Sequence, residues 1–174
     1  MNMIKLLVVD VDGTLTDGKY YVSNNGDTMK AFNTKDFDYL SKAQKAGIRV
    51  ALLTSSKDDC VWHKVQNLSK EDHNNLILFQ GIKDKLSHLS NMIYRWGDID
   101  WKNIAYMGDW DNDLKVMKRC SIIACPKDAS EKVKNYVKNE HAQRKNWVDS
   151  YVSDFDGGDG AVADFVDFLL YNKI

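Results

Sequence analysis

The chain has 174 residues, 44% hydrophobic and 28% charged, which suits a single globular unit with its own core and leaves no room for a large second lobe. Its 24 Lys and Arg against 25 Asp and Glu give a formal charge of −1, so no global field would hold a nucleic-acid backbone or an anionic membrane. Any phosphate chemistry must come from a local site.

Residues 4–9, Ile-Lys-Leu-Leu-Val-Val, form a nearly continuous apolar run, the pattern of a strand covered on both faces in a parallel sheet. The run is far too short for a signal-peptide core or a membrane span, and Asp10 ends it. The same strand signature recurs at residues 48–53, 76–79, 104–107 and 122–124. Residues 19–32 break the rhythm. There Tyr20, Tyr21 and Val22, and then Met29, Ala31 and Phe32, flank Ser23-Asn24-Asn25-Gly26-Asp27. Asn25-Gly26 predicts a β-hairpin closed by a type I′ turn, whose two central residues need positive φ.

Helical stripes fill the gaps: Val61, Val65 and Leu68 share one face, and Leu86, Leu89, Ile93 and Trp96 another. No repeat or linker is visible, and the single proline, Pro126, marks no boundary. The expectation is one domain over residues 1–174, an α/β fold with a parallel, Rossmann-like sheet flanked by helices. Three cysteines, Cys60, Cys120 and Cys125, form no CxxC pair and make a poor disulfide framework. They predict reduced thiols in a cytoplasmic protein.

A parallel sheet of this kind gathers ligands outside the carboxyl ends of its strands. The first strand runs straight into Asp10-Val11-Asp12-Gly13-Thr14, placing two carboxylates where a buried strand has no use for them. Two acids so close repel, and a divalent cation with oxygen ligands resolves the repulsion. Mg²⁺ is preferred, because it takes a few carboxylates together with water and phosphate oxygens. One Asp could then attack phosphorus while the other supplies a proton to the leaving oxygen.

Three further polar clusters follow predicted strands. Thr54-Ser55-Ser56 precedes a helix expected from Lys57, where hydroxyls and backbone N–H groups suit an anion. Lys85 follows Gln80-Gly81 and can balance phosphate charge. Gly108-Asp109-Trp110-Asp111-Asn112-Asp113 is acidic but lacks the ligand spacing of an EF-hand loop.

In this order, Asp10-x-Asp12-Gly13-Thr14, Thr54, Lys85 and Gly108-Asp109-x-x-Asn112-Asp113 resemble the four motifs of the haloacid dehalogenase superfamily of phosphotransferases. The resemblance implies Asp10 as the nucleophile that becomes an aspartyl-phosphate, and Asp12 as general acid and then base. Thr54 and Ser55 would bind the phosphoryl group and Lys85 would neutralise its charge. Mg²⁺ would be held by Asp10, by the backbone carbonyl of Asp12 and by Asp109, with Asp113 in support. An acid at position 12 favours phosphoester hydrolysis over dehalogenation.

The short spans between Asp12, Thr54 and Lys85 leave no space for a cap domain. This resembles the capless sugar-acid phosphatases that act on octulosonate 8-phosphates and nonulosonate 9-phosphates. Leu15-Thr16-Asp17-Gly18, the segment from Lys30 to Asp36, and Gly157-Gly158-Asp159-Gly160-Ala161-Val162 match them too. In that family the hairpin packs subunits into a homotetramer, which would make Tyr20, Tyr21 and Val22 interface residues, and a glycine-rich tail can reach the site. The chain departs from the family at Ser55 and Ser56, where Gly and then Arg or Glu are usual. It departs again at Phe37, where Gly is usual, and at Ala163, where Arg is usual. Lys35, Trp62 and Trp110 are candidate substrate contacts, the tryptophans as stacking surfaces.

Two other functions compete with a phosphatase of a small metabolite. One is a nucleotide or polynucleotide 3′-phosphatase, drawing on the basic run from Lys132 to Lys145 with Lys134, Lys138 and Arg144. Glu131 and Glu140 interrupt that run, so a solvated helix face is the expectation and nucleic acid is not the expected partner. The other is a catalytically idle oligomerisation domain, which would have no reason to keep mutually repelling acids.

Overall fold

The computed structural model describes residues 3–72, 76–140 and 149–172. Strand β1 (Leu6–Asp10) leads through a tight loop and a short hairpin, β2 (Tyr21–Val22) and β3 (Thr28–Met29), into helix α1 (Thr34–Lys45). Then β4 (Arg49–Leu53), α2 (Asp59–Asp72), β5 (Ile77–Phe79) and α3 (Lys85–Trp96) alternate. They are followed by β6 (Ile104–Met107), α4 (Leu114–Met117), β7 (Ile122–Cys125), α5 (Glu131–Asn135), β8 (Asp149–Val152) and α6 (Ala161–Tyr171). Six strands pair in parallel in the order β5-β4-β1-β6-β7-β8, with β1 at the centre, as the α/β expectation required.

The near-continuous apolar strands follow from burial on both faces, and their period of two divides them between two cores. Leu7 and Val9 of β1, with Val50, Leu52, Ala105 and Met107, face α1, α2 and α6. Leu6 and Val8, with Ala51, Leu53, Ile104 and Tyr106, face α3, α4 and α5. Both predicted helix stripes are core: Val61 and Val65 pack on the first side, Leu89 on the second with Leu86, Ile93 and Trp96 around it. The Leu68 side chain lies outside the described residues.

Two details differ from the sequence expectation. The strand β8 had no apolar run to announce it: Asp149-Ser150-Tyr151-Val152 is a sheet edge, paired among the described residues with β7 alone. The hairpin forms, but its tightest turn is one residue earlier. The Gly26 N–H donates to the Ser23 carbonyl across Asn24-Asn25, and the Ser23 N–H donates to the Asp27 carbonyl. Gly26 (φ 85°) supplies the left-handed residue that follows, so this is a three-residue loop with a bulge rather than a two-residue type I′ turn. Tyr20, Tyr21, Val22 and Met29 are exposed on it.

Candidate active site

Strand register sets the site. Asp10 ends β1 opposite Leu53 of β4, and Val9 lies opposite Met107 of β6. The residues that follow these strands, Asp12, Thr54 and Asp109, therefore emerge at one edge of the sheet. Beyond β1 the chain turns sharply at Gly13 (φ 89°), closed by a bond from the Thr16 N–H to the Val11 carbonyl at 2.9 Å. Glycine is required twice over at that position. Its φ is left-handed, and a Cβ there would lie 2.3 Å from Asp109 Oδ2. On the far side of the same loop, a Cβ on Gly157 would meet the Gly13 carbonyl oxygen at 2.0 Å. The glycine-rich tail is thus pressed against the loop that carries Asp12, and the Gly158 N–H donates to the Thr14 carbonyl at 3.1 Å.

At the centre, Lys85 opens α3 and is only 3% exposed. Its Nζ donates to Asp10 Oδ1 at 2.5 Å and to Asp113 Oδ1 at 2.6 Å. Burial works against the ammonium, but the two carboxylates more than offset it and raise its pKa above the ordinary lysine value. Asp113 is fully occupied: Oδ1 also accepts from the Tyr106 hydroxyl at 2.6 Å, and Oδ2 accepts the backbone N–H groups of Asp109 and Trp110, both at 3.1 Å. It therefore orders the loop and holds Lys85.

Asp10, Asp109 and Asp113 each offer an oxygen, all three within 4.8 Å of one another. Burial first, and then Asp113, pushes the Asp10 carboxyl well above the usual range. The same causes push Asp109 up to about 6, against bonds from Thr14 (3.2 Å) and Asp10. Three carboxylates against one ammonium leave a local negative excess that a divalent cation would cancel. An all-oxygen donor set is the kind Mg²⁺ takes, so the residues fit the ion.

Asp12 points elsewhere. Its Oδ2 accepts from the Thr54 hydroxyl at 2.8 Å, and its Oδ1 pairs with the ammonium of Lys30. Lys30 also pairs with Asp58 Oδ2 at 2.5 Å. Neither Lys30 nor Asp58 was picked out as a site residue from the sequence. For Lys30 the signals were its place between Met29 and Ala31-Phe32 in a strand-like run and the likeness of the segment from Lys30 to Asp36 to the family, neither of which gives it a role.

A cavity of about 330 Å³ opens over these groups, lined by Asp10, Asp12, Gly13, Gly18, Ser55, Asp109, Trp110 and Asn112. Ser55 and Trp110 therefore stand at the site, Trp110 with 62% of its surface exposed. Lys35 does not: it lines a second cavity of about 220 Å³ with Tyr39, Phe155 and Asp159. Trp62 is exposed on α2, edge-on to His63, and does not line the first cavity.

The expected anion seat at a helix start needs correction. The helix α2 begins at Asp59, and the acid Asp58 stands before it. The Thr54 and Ser56 N–H groups are spent on the Phe79 carbonyl and on Thr54 Oγ1, both at 2.9 Å.

In the described part of the basic run Lys138 is exposed, while two other lysines are paired with acids. Lys132 pairs with Asp111 at 2.8 Å and Lys134 with Glu131 at 2.7 Å, while Arg144 and Lys145 lie outside the described residues. Cys60, Cys120 and Cys125 are free thiols, and burial pushes the Cys125 thiol up to about 12. No helix among the described residues is long and apolar enough to cross a membrane.

Comparison with known proteins locates this arrangement. A family model described as haloacid dehalogenase-like hydrolase matches residues 61–146. The 3-deoxy-D-manno-octulosonate 8-phosphate phosphatase KdsC of Salmonella typhi is 33% identical over 172 residues, spanning 96% of this chain and 79% of the relative. Among solved structures, the 3-deoxy-D-manno-octulosonate 8-phosphate phosphatase of Moraxella catarrhalis, in complex with magnesium, phosphate and KDO, has a TM-score of 0.80 at 28% identity. That match covers 98% of this chain and 87% of the other. The cobalt-bound deoxy-D-mannose-octulosonate 8-phosphate phosphatase of Haemophilus influenzae has a TM-score of 0.81 at 27% identity, covering 99% and 90%. With sequence and fold both matched along nearly its whole length, the chain belongs to the haloacid dehalogenase-like hydrolases.

Proposed function

We propose that the protein is a Mg²⁺-dependent phosphoric monoester hydrolase acting on a small sugar-acid phosphate, of the octulosonate 8-phosphate or nonulosonate 9-phosphate type. The observation that carries this reading is the convergence of Asp10, Asp12 and Asp109 on one cavity, with Lys85 buried beneath it. Asp10, Asp109 and the Asp12 backbone carbonyl would hold the ion, Lys85 and Ser55 would meet the phosphoryl oxygens, and Thr54, whose hydroxyl is on Asp12, would flank them. The bound ion supplies positive charge that lets a carboxylate approach a phosphate dianion.

Asp10 attacks phosphorus, forming an Asp–O–P bond as the bond from phosphorus to the sugar oxygen breaks. Asp12, in the protonated form that the second half of the cycle regenerates, gives its proton to that leaving oxygen. Water then attacks the aspartyl-phosphate phosphorus while Asp12 takes its proton. Inorganic phosphate leaves and the Asp10 carboxylate is restored.

Residues 1–174 act as one unit without a cap, the tryptophan at position 110 offers a face to the sugar, and the exposed hairpin joins copies into a homotetramer. The intact set of repelling acids supports catalysis over an idle scaffold.

The test is a panel of phosphorylated sugar acids, hexoses and nucleotides, ranked by kcat/KM with Mg²⁺ and with EDTA. Sugar acids should lead and EDTA should abolish turnover. Nucleotides leading the panel, or turnover untouched by EDTA, would refute the assignment. Sedimentation velocity checks the assembly: a fully active monomer would rule out a role for the hairpin in joining copies.

A further inference from the structure

Lys30 is the first residue beyond β3 of the hairpin, and its side chain is 1% exposed. A buried ammonium is costly unless paired, so the pairing defines its purpose. Its Nζ donates to Asp12 Oδ1 and to Asp58 Oδ2, and it lies 4.6 Å from the centroid of the Tyr20 ring. Burial lowers its affinity for the proton, but Asp12 and Asp58 more than offset this. Asp58 is fixed in turn, by the Ser56 hydroxyl at 2.6 Å and by the Gln80 amide on its carbonyl at 2.6 Å. The Tyr20 hydroxyl (3.2 Å from Ser56 Oγ) and the Cys60 thiol (3.2 Å from the Thr28 carbonyl) tie the hairpin to the same spot.

We propose that Lys30, braced by Asp58, is the positioning residue for Asp12. With Thr54 on one carboxylate oxygen and Lys30 on the other, the Asp12 side chain has a single orientation. This rests on the reading that Asp12 protonates the leaving oxygen. Proton transfer needs heavy atoms within roughly 2.6–3.2 Å, and a misplacement of about 1 Å costs on the order of 100-fold in rate. The hairpin thus acts on the chemistry of its own chain, whatever else its exposed face does.

The signature is a dependence on the leaving group. A sugar alkoxide must be protonated as it departs, whereas p-nitrophenolate departs as a stable anion. Wild type, Lys30→Met, Lys30→Arg, Asp58→Asn and Asp12→Asn would be compared, with Mg²⁺, on p-nitrophenyl phosphate and 3-deoxy-D-manno-octulosonate 8-phosphate, or whichever primary sugar phosphate leads the panel.

Lys30→Met should lower kcat on the sugar phosphate by roughly 30- to 100-fold. Its loss on the nitrophenyl ester should be about tenfold smaller, with KM within about threefold on both. Lys30→Arg should recover most of the rate, and Asp58→Asn should show a smaller loss with the same selectivity. Equal losses on both esters, a change confined to KM, or wild-type kinetics would overturn the proposal. If Lys30→Met does not fold by circular dichroism, Asp58→Asn decides it, and a wild-type leaving-group ratio in that variant overturns the proposal equally. Asp12→Asn separates the two levels. Selectivity in that variant without selectivity at Lys30 sinks the positioning role alone, and its absence from Asp12→Asn sinks the reading beneath it.

Discussion

Two lysines in this molecule hold the same chemical post, each between two aspartates, yet they are built differently. Lys85 is clamped between Asp10 and Asp113 at the sheet's centre, on groups delivered by β1 and by the loop after β6. Lys30 is clamped between Asp12 and Asp58, on groups delivered by a loop, a hairpin and the start of a helix. The partners of Lys85 are 8% and 0% exposed, and those of Lys30 29% and 13%. The closed cluster holds the proposed nucleophile away from water, and the open one leaves the proposed acid and base within reach of it.

The sharpest way to test this contrast is Asp10→Asn, which removes the nucleophile's charge while keeping its shape. Turnover should fall by roughly a thousandfold or more on every ester, with no leaving-group preference. Substantial residual kcat would dissolve the distinction between the two aspartates.

The next comparison is one of stability. Lys85→Met leaves Asp10 and Asp113 buried without their cation, and urea denaturation without metal should show a loss of about 3–5 kcal/mol. Lys30→Met should cost about 1–3 kcal/mol, between the values for exposed and buried pairs, because water reaches Asp12 and Asp58. Equal losses would mean that the two clusters are equally sealed.

Asp36 supplies a third case, a buried carboxylate with no lysine paired to it among the described residues. Its Oδ1 accepts from the Ala163 N–H at 2.8 Å, so a side chain on α1 caps the start of α6, where Gly160 cannot. Burial pushes its pKa up to about 6, against the N–H groups of Ala163, Gly160 and Val162. A carboxyl that binds its proton more tightly when folded gives stability fully present below the unfolded pKa near 3.8 and lost as pH rises through about 6. Asp36→Asn should therefore abolish a pH slope worth about 3 kcal/mol between roughly pH 4 and 6, read from urea midpoints. An unchanged slope would show that the helix start already stabilises the charge.

Much of this was legible because parallel sheets announce themselves. The apolar runs ending in Asp10, Thr54 and Asp109 located the strands, and strand ends locate the site. The Lys30 cluster was not legible because its members lie 18 and 28 residues apart, on segments without a shared period. Asp36 stood at the end of a segment that resembles the family, but its contact was hidden for the same reason, since its partner is 127 residues away. The strand β8 escaped because a sheet edge needs no continuous apolar run; Tyr151, stacked 4.5 Å from Phe168, packs on one core and Val152 on the other. The start of α2 was misplaced because a Ser-Ser pair reads as a cap when the cap-like acid two residues on is overlooked.

The contact between Gly157 and Gly13 sets a condition on when the enzyme comes alive. Every motif residue from Asp10 to Asp113 leaves the ribosome before the glycines that brace the first loop, and before the helix that Asp36 caps. A nascent chain halted after Asp113 would carry all of these side chains and still lack β7, β8 and the glycines pressed against the first loop, so that loop gains its support only with the last stretch of synthesis.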